Sequence, residues 1–276
     1  MRFGTPRRRR LAHSVAIVLA LAALYPLKGI ATLTRRQAWI WFPAYVRSLV
    51  APDESVPDSS KHVVFVMVDH FEPGIGAEGA ETSRRWMEKF RAIAARHADS
   101  NGNRFRYTWF YPYDERNEEV LADLCAAAAD GYGEVELHWH HPRSSNSRFP
   151  RELDEAVRWF QRHGALVSGD GRAETSFAFI HGVWALDDSE PRCGVARELD
   201  ILKQRGCYAD FTFSTVGTVA QPRKINSIYY ARDTDAPKSY DDGENARVGA
   251  PVNDRLMIFE GPIGFDVLKM RIEYAA

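Results

Sequence analysis

The chain has 276 residues, of which 26% are charged and 45% hydrophobic, and its formal net charge is −1. That length holds one large domain with a short appendage, and the apolar share is enough for a packed core. Balanced charge with no basic stripe through the body excludes nucleic acid as an expected partner.

The first feature in chain order is Arg7-Arg8-Arg9-Arg10, followed by an apolar run from Leu11 to Leu27. Such a run predicts an N-terminal transmembrane helix within residues 1–33, with the arginines on the cytoplasmic side. The chain is then expected to be a single-pass protein of the cell membrane, with its main domain on the periplasmic or extracellular side. A secretory signal cut after Gly29-Ile30-Ala31 is the competing reading. Residues 34–60 read as a juxtamembrane segment and linker. Trp39-Ile40-Trp41-Phe42 with Tyr45 suits an interfacial aromatic belt, or else packs on the domain. Residues 51–60, rich in Pro, Ser and Asp, are the linker.

From residue 61 to 276 short apolar runs alternate with amphipathic stretches. Val63 to Val68 is a continuous apolar strand of the kind buried on both faces. Residues 81–98 read as a helix, 105–111 as a strand and 118–129 as a helix. A strand over 134–140 follows, then a helix over 153–162 that stops at Gly164. Next come a strand at 177–180, a helix at 195–204 ended by Gly206, and a strand at 208–213. Ile228-Tyr229-Tyr230 lies in a long polar region, and 256–259 is the last clear strand. This alternation predicts an α/β fold with a parallel sheet, either a distorted seven-stranded (β/α) barrel or a doubly wound open sheet. The three cysteines, Cys125, Cys193 and Cys207, have no metal-ligand spacing and read as free or structural thiols.

In barrels the chemistry gathers where strands end. The first strand runs straight into Asp69-His70, followed by Phe71-Glu72-Pro73-Gly74. The third reads Glu134-Val135-Glu136-Leu137-His138-Trp139-His140-His141. Alternation puts Glu134, Glu136, His138 and His140 on one face, where two imidazoles one strand period apart can converge on a divalent cation. His141 stands where strand gives way to loop and can turn in as well. The fourth strand ends at Ile180 and is followed by His181, a candidate ligand, general acid or substrate contact. Trp184 beyond it is a sugar-stacking platform or a core residue. Asp210, a carboxylate amid apolar neighbours, needs a partner; it orients a catalytic group or forms an ion pair. The loop from Gln221 to Ser227 is basic.

Over residues 61–265 these features resemble the NodB-type polysaccharide deacetylases. The resemblance implies the distorted barrel and a metal-dependent hydrolase that removes acetyl groups, as amide or ester, from an envelope or extracellular polysaccharide. Asp69 matches the family's catalytic base, and His70 stands where its metal-binding aspartate would be. His138 matches the first metal histidine. The second falls on Pro142, so His140 or His141 serves instead. The final Leu-x-His motif falls on Leu256 to Glu260, where Glu260 replaces the histidine. The expected site is therefore Asp69, His181 and Glu260 as catalytic groups, His70, His138, His140 and His141 around a metal, most suitably Zn2+, and Trp184 and Asp210 toward substrate. A non-catalytic carbohydrate-binding barrel that assists polysaccharide export is the alternative. A glycosidase using paired carboxylates such as Glu72 and Asp187 leaves the histidines unexplained.

Overall fold

The computed structural model describes residues 27–50, 65–167, 174–191, 195–266, 268–269 and 271–274. The arginine cluster, most of the apolar run, the linker and Cys193 lie outside them. Among the described residues no helix is long and apolar enough to cross a membrane. The expected transmembrane helix, the attachment through it and the single-pass location therefore find no support in any described helix, and all of the run that carried them except Leu27 lies outside the described residues. The aromatic segment packs instead on the domain. A helix α1 (residues 27–35) leads through a turn into α2 (Phe42–Val50). Trp41 is fully buried among Ala38, Val216, Ile225, Ile263 and Ile272. Gln37 donates to the Gly217 carbonyl at 3.1 Å, and the Tyr45 hydroxyl accepts from Phe265 N–H at 3.3 Å.

The remaining helices are α3 (Gly76–Ala94), α4 (Glu118–Ala129), α5 (Phe149–Gln161) and α6 (Glu198–Gln204). The strands are β1 (Val68–His70), β2 (Tyr107–Pro112), β3 (Gly133–Trp139), β4 (Phe177–His181), β5 (Cys207–Phe213), β6 (Ser227–Ala231), β7 (Gly243–Asn245), β8 (Leu256–Glu260), β9 (Ile263–Asp266) and β10 (Arg271–Tyr274). Local chemistry sets several boundaries. Asn117 caps α4, its side chain accepting from Glu119 N–H at 2.9 Å, so the helix begins where its apolar pattern does. Pro150 in the first turn lets α5 start at Phe149, ahead of its apolar stripe. Gly206, at φ 91°, supplies the left-handed turn that takes α6 into β5.

β1 to β5 lie side by side in chain order and run parallel, with β8 parallel beyond β5. Right-handed crossovers in one direction place α3, α4, α5 and α6 on the same face. There they bury a core that includes Phe90, Leu121, Leu124, Phe160 and Leu199 against Trp109, Leu137 and Phe179. The other face carries Phe110, Ala178 and Ile180, packed by Val68 and Phe211.

The sheet is not a closed barrel. Its eight-stranded order is β1-β2-β3-β4-β5-β8-β6-β7. Before β8 the chain makes an excursion through β6 and β7, which add antiparallel strands beyond β8. The last parallel strand is thereby covered on its outer side and has no edge left to meet β1. Three-residue strands, β1 and β7, end the sheet on either side.

Candidate metal centre

His70 ends β1, His138 is the penultimate residue of β3, and His140 follows β3 directly. All three emerge at the C-terminal edge of the parallel strands, on the face opposite the helices. The ring centroids of His70 and His138 are 4.4 Å apart, and those of His138 and His140 are 4.7 Å apart. Glu72, two residues past His70 in the turn toward α3, reaches in among them. Its Oε1 lies 2.7 Å from His138 Nε2, 3.5 Å from His140 Nε2 and 3.6 Å from His70 Nδ1. One ligand atom each from His70, Glu72 and His138 lies within 4.8 Å of the others, so these side chains can hold a metal ion.

The hydrogen bonds decide which nitrogens are free. His138 Nδ1 stands 3.0 Å from the Ile180 carbonyl, which can only accept. Nδ1 therefore carries the ring proton, and in the neutral ring Nε2 turns a lone pair toward a carboxylate oxygen 2.7 Å away. Two acceptors at that separation need a proton or a metal cation between them. Burial of His138, which is fully enclosed, pushes its imidazole below the ordinary value and disfavours a proton, although the Glu72 contact works the other way. Hydrogen bonds from His138 and then His70 hold Glu72 well below the usual carboxylate range. This donor set fits a divalent cation, and a histidine backed on its second nitrogen by a carbonyl is the arrangement such ligands take.

His140 is oriented in the same sense by Asp114, in the turn after β2. Asp114 Oδ1 accepts the His140 main-chain N–H at 2.9 Å, and Oδ2 lies 3.1 Å from Nδ1. Nε2 is thus left with its lone pair toward Glu72. The Asp114 hydrogen bond raises the His140 imidazole above its ordinary value. Burial pushes the Asp114 carboxyl up, but its bonds to His140 outweigh that and hold it down. Trp184, 42% exposed and at φ 54°, places its ring 5.9 Å from that of His70. A groove of about 480 Å³ opens beside His140, lined by Asp114, Trp139, Pro142, Arg143 and Ser144 among others. A larger cavity of about 560 Å³, beside Cys125, Glu134 and Tyr208, touches none of these three histidines.

Several expected residues lie elsewhere. Asp69 pairs in register with Trp109 and so faces the helical layer, away from His70. Tyr107 hydrogen-bonds it, and burial raises its carboxyl. His141 and His181 also point to the helical side, with ring centroids 4.2 Å apart, and join the buried Glu198 in a second group whose side chains could hold an ion. There the proton count differs. His181 Nδ1 accepts from Val183 and Ala185 N–H at 3.2 and 3.4 Å, so its Nε2 carries the proton and offers no lone pair. His141 Nε2 lies 3.1 Å from Glu198 Oε1. Asp210 is fully buried and accepts from the main chain and hydroxyl of Thr212 at 3.0 and 2.8 Å, out of reach of substrate. The Glu260 oxygens are taken by Gln221 Nε2, at 3.1 Å, and by Asn226 N–H. Cys125 and Cys207 are free thiols.

No sequence pattern marks Glu72, Asp114 or Glu198 as a partner of the histidines. Position alone gives one usable signal for Asp114: it lies two residues past the end of a strand, on the edge where chemistry was sought. No protein-family model, curated protein or solved structure matches this chain.

Proposed function

We propose that the chain is a metal-dependent hydrolase that removes acetyl groups, as amide or ester, from a polysaccharide. One observation carries the reading: with His138 Nδ1 set on the Ile180 carbonyl, His138 Nε2, His140 Nε2 and His70 Nδ1 all converge on a single Glu72 carboxylate oxygen, at 2.7, 3.5 and 3.6 Å. His70, Glu72 and His138 would hold the cation, and two imidazoles favour zinc over magnesium. A bound zinc ion supplies Lewis acidity, polarising the acetyl carbonyl and acidifying water. His140, fixed by Asp114, takes the proton of the attacking water on Nε2 and returns it to the departing nitrogen or oxygen. It takes the part expected of Asp69, which faces the other side of the sheet. Asp114 stabilises the imidazolium in between. Trp184 offers an indole face beside the centre on which a sugar ring can stack.

The test is the metal content of the purified full chain, with acetate release from N-acetylglucosamine oligomers and from acetylated xylan. The expected results are zinc in the wild type, its loss in His138→Ala, and acetate release abolished by chelation. Metal-free wild type, or unchanged zinc in His138→Ala, would sink the reading. A zinc-loaded chain that binds the oligomers without releasing acetate would instead be the carbohydrate-binding protein.

A further inference from the structure

His140 owes its position to more than Asp114. The residue after β4 is Gly182, buried, whose N–H donates to the Trp139 carbonyl at 2.9 Å and so ties the ends of β3 and β4 together. Its φ is not left-handed, so backbone conformation alone does not require glycine there. The neighbour does. A Cβ on Gly182 would lie 2.4 Å from His140 Cδ2, 2.5 Å from its Cγ and 2.9 Å from its Cα. Real Cβ atoms do not approach so closely. The imidazole therefore lies directly against bare main chain, with Nδ1 on Asp114 and Nε2 toward Glu72.

That main chain is held from behind. His181 N–H donates to Thr212 Oγ1 at 2.9 Å, and Thr212 in turn donates to Asp210 at 2.8 Å. His181 Nδ1 gathers the N–H groups of Val183 and Ala185, winding the chain into the turn that carries Trp184. Glu198 Oε2 accepts Asp187 N–H at 2.8 Å and closes the same loop. The buried groups on the helical side thus fix the segment that His140 rests on.

We infer that Gly182 is a positioning residue for His140: the missing side chain sets where the imidazole lies, and the His181–Thr212–Asp210 chain holds Gly182 in place. Its functional meaning rests on His140 as the proton carrier, but its test needs no turnover. Gly182→Ala must move either the ring or the turn. Imidazole nitrogen NMR on the metal-free full chain, with the His140 signal identified by its loss in His140→Ala, reads the ring directly. The expected result is loss of the Nδ1-protonated signature of His140 in Gly182→Ala, while that of His138 persists. Thermal melts supply a second measurement that survives poor folding of the single variant. Gly182→Ala lowers Tm, and adding His140→Ala recovers part of that loss, because the two ring clashes are gone and only the 2.9 Å approach to the residue 140 Cα remains. A His140 signal unchanged in Gly182→Ala, or a double variant no more stable than Gly182→Ala, overturns the inference. Wild type without zinc or turnover would end the hydrolase reading and leave these outcomes intact.

Discussion

Asp114→Asn separates the two things His140 can do. The amide oxygen of asparagine can keep the bond from the His140 main-chain N–H, 2.9 Å in the wild type, so the turn is retained. The amide nitrogen then faces Nδ1, 3.1 Å away, where the carboxylate had been. A donor now meets a donor. The ring escapes by moving its proton to Nε2, and the lone pair needed to accept a proton disappears. Holding the productive tautomer instead gives up a charge-assisted hydrogen bond, about 1.5–3 kcal/mol, and the imidazolium loses its counter-charge as well. Together these amount to about 3–5 kcal/mol, or a fall in kcat of roughly 10²- to 10⁴-fold, the range general acid–base catalysis supplies. The pH profile moves too. Asp114 raises the His140 imidazole, and a base works only when unprotonated, so wild-type activity falls as pH drops through that raised value. In Asp114→Asn the residual activity persists to lower pH. The assay is acetate release across pH with zinc titrated in parallel, and zinc affinity should change by less than about threefold, since His140 is not among the proposed ligands. An unchanged kcat would refute the assignment. A 10- to 100-fold loss of zinc affinity would make His140 a ligand and Asp114 its outer partner.

Asp69→Asn should leave kcat within about threefold, because Asp69 faces the helical layer; a loss approaching 10²-fold would return the base role to it. Trp41→Ala should cost about 3–5 kcal/mol in denaturant unfolding, as for other buried tryptophans, whereas a segment serving only as a tether would show no change. Burial raises Glu260 from 4.5 to about 8. The folded state thus holds this proton more tightly than the unfolded chain. The contribution is full below about pH 4.5 and is lost as pH rises through about 8, at most about 5 kcal/mol. Glu260→Gln should therefore flatten the decline in stability across that window, and an unaltered slope in pH-dependent melts would contradict the shift.

Much of the strand–helix succession is legible because it is local. The Val120, Leu121 and Leu124 stripe and its Asn117 cap mark α4 at the expected residues. Sheet closure is not local. A barrel and this open sheet share the same right-handed β-α alternation from β1 to β5, and they differ only in what lies beside β1. The antiparallel excursion through Tyr229 and Tyr230 decides that, and it sits in a polar region whose pairing with β8 no periodicity announces. Trp41 misleads for a related reason: an aromatic cluster after an apolar run is the same pattern whether it meets lipid headgroups or the Ile263 and Ile272 side chains of a distant hairpin.

At the site, strand alternation assigns each histidine a face, and that assignment divides the cluster. His138 and His140 share a face, while His141 falls to the other side with His181, so histidines consecutive in sequence belong to different centres. The same rule applied to Asp69-His70 places the carboxylate and the imidazole on opposite faces, provided the strand reaches His70 and does not stop at Val68. The apolar run alone suggests the earlier stop, and that two-residue difference moves the base from Asp69 to another group. Glu72, Asp114 and Glu198 escape because they belong to a turn, a loop and a helix start, where no period constrains direction. What identifies them is the proton count. A carbonyl behind His138 and a carboxylate behind His140 leave two lone pairs turned toward Glu72, whereas main-chain N–H groups behind His181 leave a donor. Clusters of similar composition on opposite faces of one sheet thereby differ in what they offer: His70, Glu72 and His138 present ligand atoms that could hold a cation, while His181 and Glu198 bind main-chain N–H groups.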